Sequence, residues 1–213
     1  MPLSTYGQNT VLDDVANSGL GFAVTGEVYI SLHSADPGLT GLNELTGGTP
    51  AYARKQDTFP VSASGTLDND AAITFDVPAG NVAAWGLWDA LTVGNCIQTG
   101  WFSTVSRLAL VRTADATAND VQSETHGFVA DDRVVFEVVE GLTVPAGLTA
   151  GTIYYVIATG LTTDAFRVSA TSGGAAIDIT GNGQCVVRKV TVTNFAAQGQ
   201  FQIPAGGLDL FGQ

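Results

Sequence analysis

The chain has 213 residues, of which 45% are hydrophobic and 13% charged, with 26 glycines and a formal net charge of −12. A charged share about half the usual ~25% excludes a disordered tail. The excess of 20 acidic over 8 basic groups repels a phosphate backbone, so no direct nucleic-acid partner is expected. No apolar run approaches the ~18 residues of a spanning helix, and the start, Met1-Pro2-Leu3-Ser4-Thr5, lacks the basic residues of a secretory signal. No membrane partner is expected, and synthesis in a cytoplasm is.

Residues 1–24 hold the single helix candidate, Thr10–Ala16, stopped by Asn17-Ser18-Gly19. Under two turns, it needs something to dock on, and the segment reads as an N-terminal arm. From Glu27 the pattern is β. Val28–His33 is a strand, halted by Ser34-Ala35-Asp36-Pro37-Gly38. Strands are predicted at Tyr52–Phe59, Ala72–Val77, Ala84–Asp89 and Cys96–Phe102, and later at Val190–Phe195, Gly199–Ile203 and Leu208–Phe211. Between them, Arg133–Val138, Ile153–Ile157, Phe166–Ala170, Ala176–Ile179 and Cys185–Arg188 form a series with its own turns. That stretch is predicted to bury a core of Phe136, Tyr155, Ile157, Phe166, Val168 and Ile177. Insertion of such a module into a surface loop costs little closure entropy.

The predicted architecture is all-β: a jelly-roll-like β-sandwich from residues 25–105 and 190–213, an inserted small β-barrel-like module at 106–189 that projects outward, and the arm at 1–24. Phe75-Asp76-Val77-Pro78-Ala79-Gly80 is echoed by Phe201-Gln202-Ile203-Pro204-Ala205-Gly206, and more briefly by Val144-Pro145-Ala146-Gly147. The irregular spacing excludes a solenoid.

Chemistry-bearing patterns are sparse. His33 and His126 come without a Gly-x-Ser-x-Gly elbow, and each reads as a surface or satisfied residue. No Cys/His cluster, Walker loop or dinucleotide fingerprint is present. Asp68-Asn69-Asp70 and Asp131-Asp132 read as turn residues, without calcium-loop spacing. Cys96 and Cys185 are read as reduced, with a late disulfide as the alternative. No catalytic, metal or cofactor-binding residue is assigned, no cofactor is expected, and the chain is not expected to be an enzyme. Trp85 and Trp88, three apart on one strand, face opposite sides. One is expected in the core and the other at an interface or the surface.

Several motifs occur together: Val28–Gly38, Asn43-Glu44, Gly47-Gly48, Tyr52-Ala53-Arg54, Trp85-Gly86-Leu87-Trp88-Asp89, Gly100-Trp101-Phe102 and Phe201–Leu208. In order and spacing, over about residues 1–105 and 190–213, they resemble a family of small tailed-bacteriophage virion proteins often labelled tail fibre or minor structural protein. The insert resembles a β module recurrent in phage surface proteins. The resemblance implies a virion structural protein, made in the host cytoplasm. One reading is a capsid decoration (cement) protein that clamps major capsid protein subunits as a homotrimer. The alternative is a tail or baseplate component, such as a short tail-fibre or adaptor subunit in host attachment, with tail proteins as partners. The insert, projecting outward, is expected to contact a host surface glycan. Interface residues are expected at Leu3, Tyr6, Val11, Leu12 and Phe22 of the arm, with Trp88 as an anchor.

Overall fold

The computed structural model describes residues 28–60, 67–111, 118–138 and 141–210. The expected arm, its helix and the interface residues Leu3, Tyr6, Val11, Leu12 and Phe22 lie outside these. Among the described residues the strands are β1 (Val28–His33), β2 (Lys55–Asp57), β3 (Leu67–Asp68), β4 (Ile73–Val77), β5 (Gly80–Val82), β6 (Ala84–Trp88), β7 (Cys96–Trp101) and β8 (Ser103–Val111). They continue with β9 (Val121–Gln122), β10 (Arg133–Glu137), β11 (Tyr154–Ile157), β12 (Ala165–Ser169), β13 (Gly183–Val190), β14 (Thr193–Phe195), β15 (Gly199–Ile203) and β16 (Asp209–Leu210). The chain divides into two compact units, Met1–Gly100 with Asn194–Gln213, and Trp101–Thr193.

The first unit is an all-β sandwich. One layer is a four-stranded sheet in the order β2-β1-β6-β7. Its central pair is antiparallel, with Tyr29 opposite Trp88, Ser31 opposite Gly86 and His33 opposite Ala84. That register sends Ile30, Leu32, Trp85 and Leu87 to one face and Ser31, His33, Gly86 and Trp88 to the other. Both faces are covered, and every residue of β6 is buried. The expectation that one of the two tryptophans reaches an interface is therefore corrected: Trp85 and Trp88 face opposite sides, and both are inside.

The second layer consists of three short pairs, β5 with β14, β4 with β15 and β3 with β16. The returning C-terminal segment thus zips along residues 67–82. The echoed sequences are partners in this zipper. Phe75 lies opposite Phe201 and Ile73 opposite Ile203, and each copy stops at its proline, which has no N–H for the ladder. Asn69 clamps the zipper's end, donating to Ala71 O and Pro204 O and accepting from Leu208 N–H. Tyr52 helps join the layers: its ring stacks on Phe75 with centroids 6.3 Å apart, and its hydroxyl accepts from Leu32 N–H at 2.7 Å.

The second unit is a closed antiparallel barrel, in the order β10-β11-β12-β9-β8-β13. Its interior is filled with side chains, as expected of so few strands. Phe136, Phe166, Phe128, Tyr154, Val156, Val168 and Val187 share one core. Phe166 packs edge-on to Phe128 at 5.2 Å and parallel to Phe136 at 6.4 Å. The predicted core is out of step on β11. Tyr154 and Val156 point inward, whereas Tyr155 lies outside under the Arg133 guanidinium. The predicted strand Ala176–Ile179 is irregular, although Ile177 N–H still donates to Val168 O. β8, where no strand is predicted and which spans the expected boundary at 105/106, is a barrel stave paired to β13 along its length. Ser103 lies opposite Val190, and Thr191 N–H donates to Phe102 O, so the barrel's two ends leave side by side.

Candidate functional site

The described chemistry concentrates on the polar face of β1 and β6. Alternation on β1 puts Ser31 and His33 on one side, and the register adds Gly86 and Trp88. The loop 34–44 folds over this face. His33 Nδ1 is 2.6 Å from Leu42 O, a carbonyl that only accepts, so Nδ1 carries the hydrogen. Burial holds the imidazole below its ordinary value of 6.5 and keeps it neutral. Nε2 then accepts the Ser31 hydroxyl proton at 2.7 Å, while Ser31 Oγ accepts from Trp88 Nε1–H at 2.7 Å. Indole, hydroxyl, imidazole and carbonyl thus form one directed chain of hydrogen bonds. Glycine is required beneath it, because a methyl at Gly86 would come within 2.7 Å of Ser31 Oγ and 2.8 Å of His33 Nε2.

A serine hydroxyl on an imidazole is the start of a nucleophile. Here both residues are 0% exposed, and Trp88 caps the oxygen. The chemistry available to them is packing and orientation.

Arg54 closes the site from the other side of Trp88. Its guanidinium carbon is 3.5 Å from the ring centroid. Nε and Nη2 meet both carboxylate oxygens of Glu44 at 2.9 and 2.8 Å, and Nη1 donates to Ala90 O and Val93 O. One side chain thereby ties the loop 34–44 to the loop 89–95, with the planar fork and ring stacking that only arginine provides. Asp89 holds the second loop through Asn95, whose side-chain and backbone N–H groups keep its carboxyl below the usual range.

Trp88 is 7% exposed and saturated by Ser31 and Arg54. The residue expected as an interface anchor thus presents little surface in the single chain. His33 is buried and satisfied, as is His126, whose Nδ1 accepts from Phe128 N–H. Asp131 accepts from Ser172, and Asp132 pairs with Lys189 at 2.7 Å. Both cysteines are free thiols, Cys185 inside the barrel with its pKa pushed by burial to about 11. The sequence motifs hold Ser31 and His33 together but give neither a role, and they keep Glu44, Arg54 and Trp88 apart. The signal lay in two intervals of two, Ser31 to His33 and Gly86 to Trp88, on strands that pair.

Four of the motifs that carry the family resemblance, Val28–Gly38, Asn43-Glu44, Tyr52-Ala53-Arg54 and Trp85–Asp89, therefore supply the parts that lock two loops over one sheet face. No curated protein matches the sequence. A family model, described as Podophage GP4 fiber I protein gp80, matches residues 2–130, well over half of the chain and reaching into the barrel. The chain belongs to that family and is a structural protein of a bacteriophage virion.

Proposed function

We propose that the chain is a component of the phage tail, a short fibre or the adaptor that joins a fibre to the tail, and that it serves host attachment without catalysing a reaction. The family match over residues 2–130 is the observation that carries this reading, because the matching family is one of fibre proteins. The fold supports it. A sandwich with a locked pair of loops suits a fixed joint, and a separate closed barrel suits an outer contact such as a host surface glycan. Its partners are then tail proteins of the same virion. Homo-oligomerisation, as a trimer, belongs to the same reading and is tested by native mass spectrometry of the purified protein. Capsid decoration has less behind it, since nothing in the family's description points to the shell.

Gold-labelled antibody against the barrel, viewed on intact particles by electron microscopy, tests the location. Label at the tail is the expected result. Label spread over the head would overturn the tail reading and restore capsid decoration.

A further inference from the structure

The two loops tied by Arg54 carry apolar side chains into solvent. Leu39 is 95% exposed and Leu42 61% on the first loop, with Leu91 at 48% and Val93 at 85% on the second. Glu44, Ala90 O and Val93 O all grip the same guanidinium, so these side chains sit on one braced platform.

Val93 is the telling residue. Its φ is +60°, followed by Gly94 at +73°. A β-branched side chain in this region is a true outlier. Among the described residues, five non-glycine residues have positive φ: Asn43, Asn119 and Asp131, which tolerate it, and the β-branched Thr125 and Val93, of which Val93 alone is apolar. Selection for stability alone would place asparagine at 93 as well. The valine gains no burial in exchange for its strain. Strain held at an exposed apolar position points to use outside the fold.

We propose that Leu39, Leu42, Leu91 and Val93 form a docking surface for an apolar patch with a basic rim on a different protein of the virion. The rim follows from charge. Asp36 belongs to the first loop and Asp89 opens the second, and Arg54, the cation that ties the loops, is consumed by Glu44. A second copy is a poor source of the rim. The sandwich unit contains eleven of the acidic groups and two of the basic ones, Arg54 and Lys55. Of the barrel unit's six basic groups, Arg167, Arg188 and Lys189 are paired with carboxylates, and Arg133 is held by Val192 O and the Tyr155 ring. Opposite charge at the rim excludes wrong partners and fixes register. The proposal rests on the virion reading and names the kind of partner that reading requires.

The test uses phage carrying Val93→Asn, Leu39→Ser or both, with copies per particle counted by quantitative mass spectrometry against wild-type particles. The purified full-length variants are melted in parallel. Val93→Asn is expected to melt no lower than wild type, and the double variant to be incorporated about tenfold less or worse. Asp36→Asn keeps an acceptor for Gly38 N–H and should lower incorporation about two- to threefold. Wild-type copy numbers for the double variant would overturn the docking surface and leave the virion reading intact. Absence of the wild-type protein from particles would overturn the virion reading itself. A lower melting temperature for Val93→Asn would remove the strain argument, and a changed subunit count in the variants would reassign the surface to a second copy; either result overturns the proposal.

Discussion

Ser31 Oγ is shared between an indole donor and an imidazole acceptor, and that sharing sets what each neighbour tolerates. Gly86→Ala would push a methyl into the Ser31–His33 contact and should cost about 2 kcal/mol in urea unfolding. Arg54→Ala would leave Glu44 and two loop carbonyls without their donor, and should cost about 3 kcal/mol. Asp57 supplies a pH-dependent case. Burial, with Asp70 nearby, raises its folded pKa from 3.8 to about 6, and its Oδ2 has no partner. Between those values the folded chain holds the proton more tightly than the unfolded one. Stability from this group therefore rises as pH falls from about 6 toward 4 and is lowest above 6. Asp57→Asn, which keeps an acceptor for Thr58 N–H, should raise stability by about 1 kcal/mol at pH 7.5 and by little at pH 4, read from paired urea curves. His33 acts in the opposite sense: its folded pKa lies below 6.5, so stability falls as pH drops through that value.

At the scale of elements, the strands with one clean apolar face were legible. Ile73, Phe75 and Val77 alternate with polar residues, and β4 appears where that pattern stands. Ile153–Ile157 is apolar on both faces, so alternation gives no parity; closure of the barrel decides it, and Tyr154 rather than Tyr155 goes inside. Tyr154→Ala should accordingly cost about 3 kcal/mol and Tyr155→Ala under about 1, a difference that thermal unfolding resolves. β8 was missed for a related reason. Its partner β13 lies some 80 residues away in sequence, and no local pattern marks a strand whose role is to seal a barrel. The candidate site was half legible. Its residues all stand in the sequence motifs, Ser31 and His33 in the first of them, but only the β1–β6 register shows that they share one face. Three-residue spacing puts Trp85 and Trp88 on opposite faces without reporting that both faces are covered.

For the whole molecule, the side-by-side exit of the barrel's ends is what allows one module to sit inside another. The chain enters at Phe102 and leaves at Thr191, joined by a backbone hydrogen bond of 2.6 Å. The barrel buries its own aromatic core. Expressed alone, residues 101–193 should therefore fold, giving a cooperative thermal transition and dispersed amide resonances; a chain without either would mean that the barrel depends on the sandwich. The virion role joins these units into one account: a joint with two locked loops, and a separate barrel. A place at the tail sets the copy number. Quantitative mass spectrometry of purified particles should find a few to tens of copies, a few per hundred of the major capsid protein. A ratio near one, or a large fraction of one, would contradict the tail assignment and make this a protein of the shell.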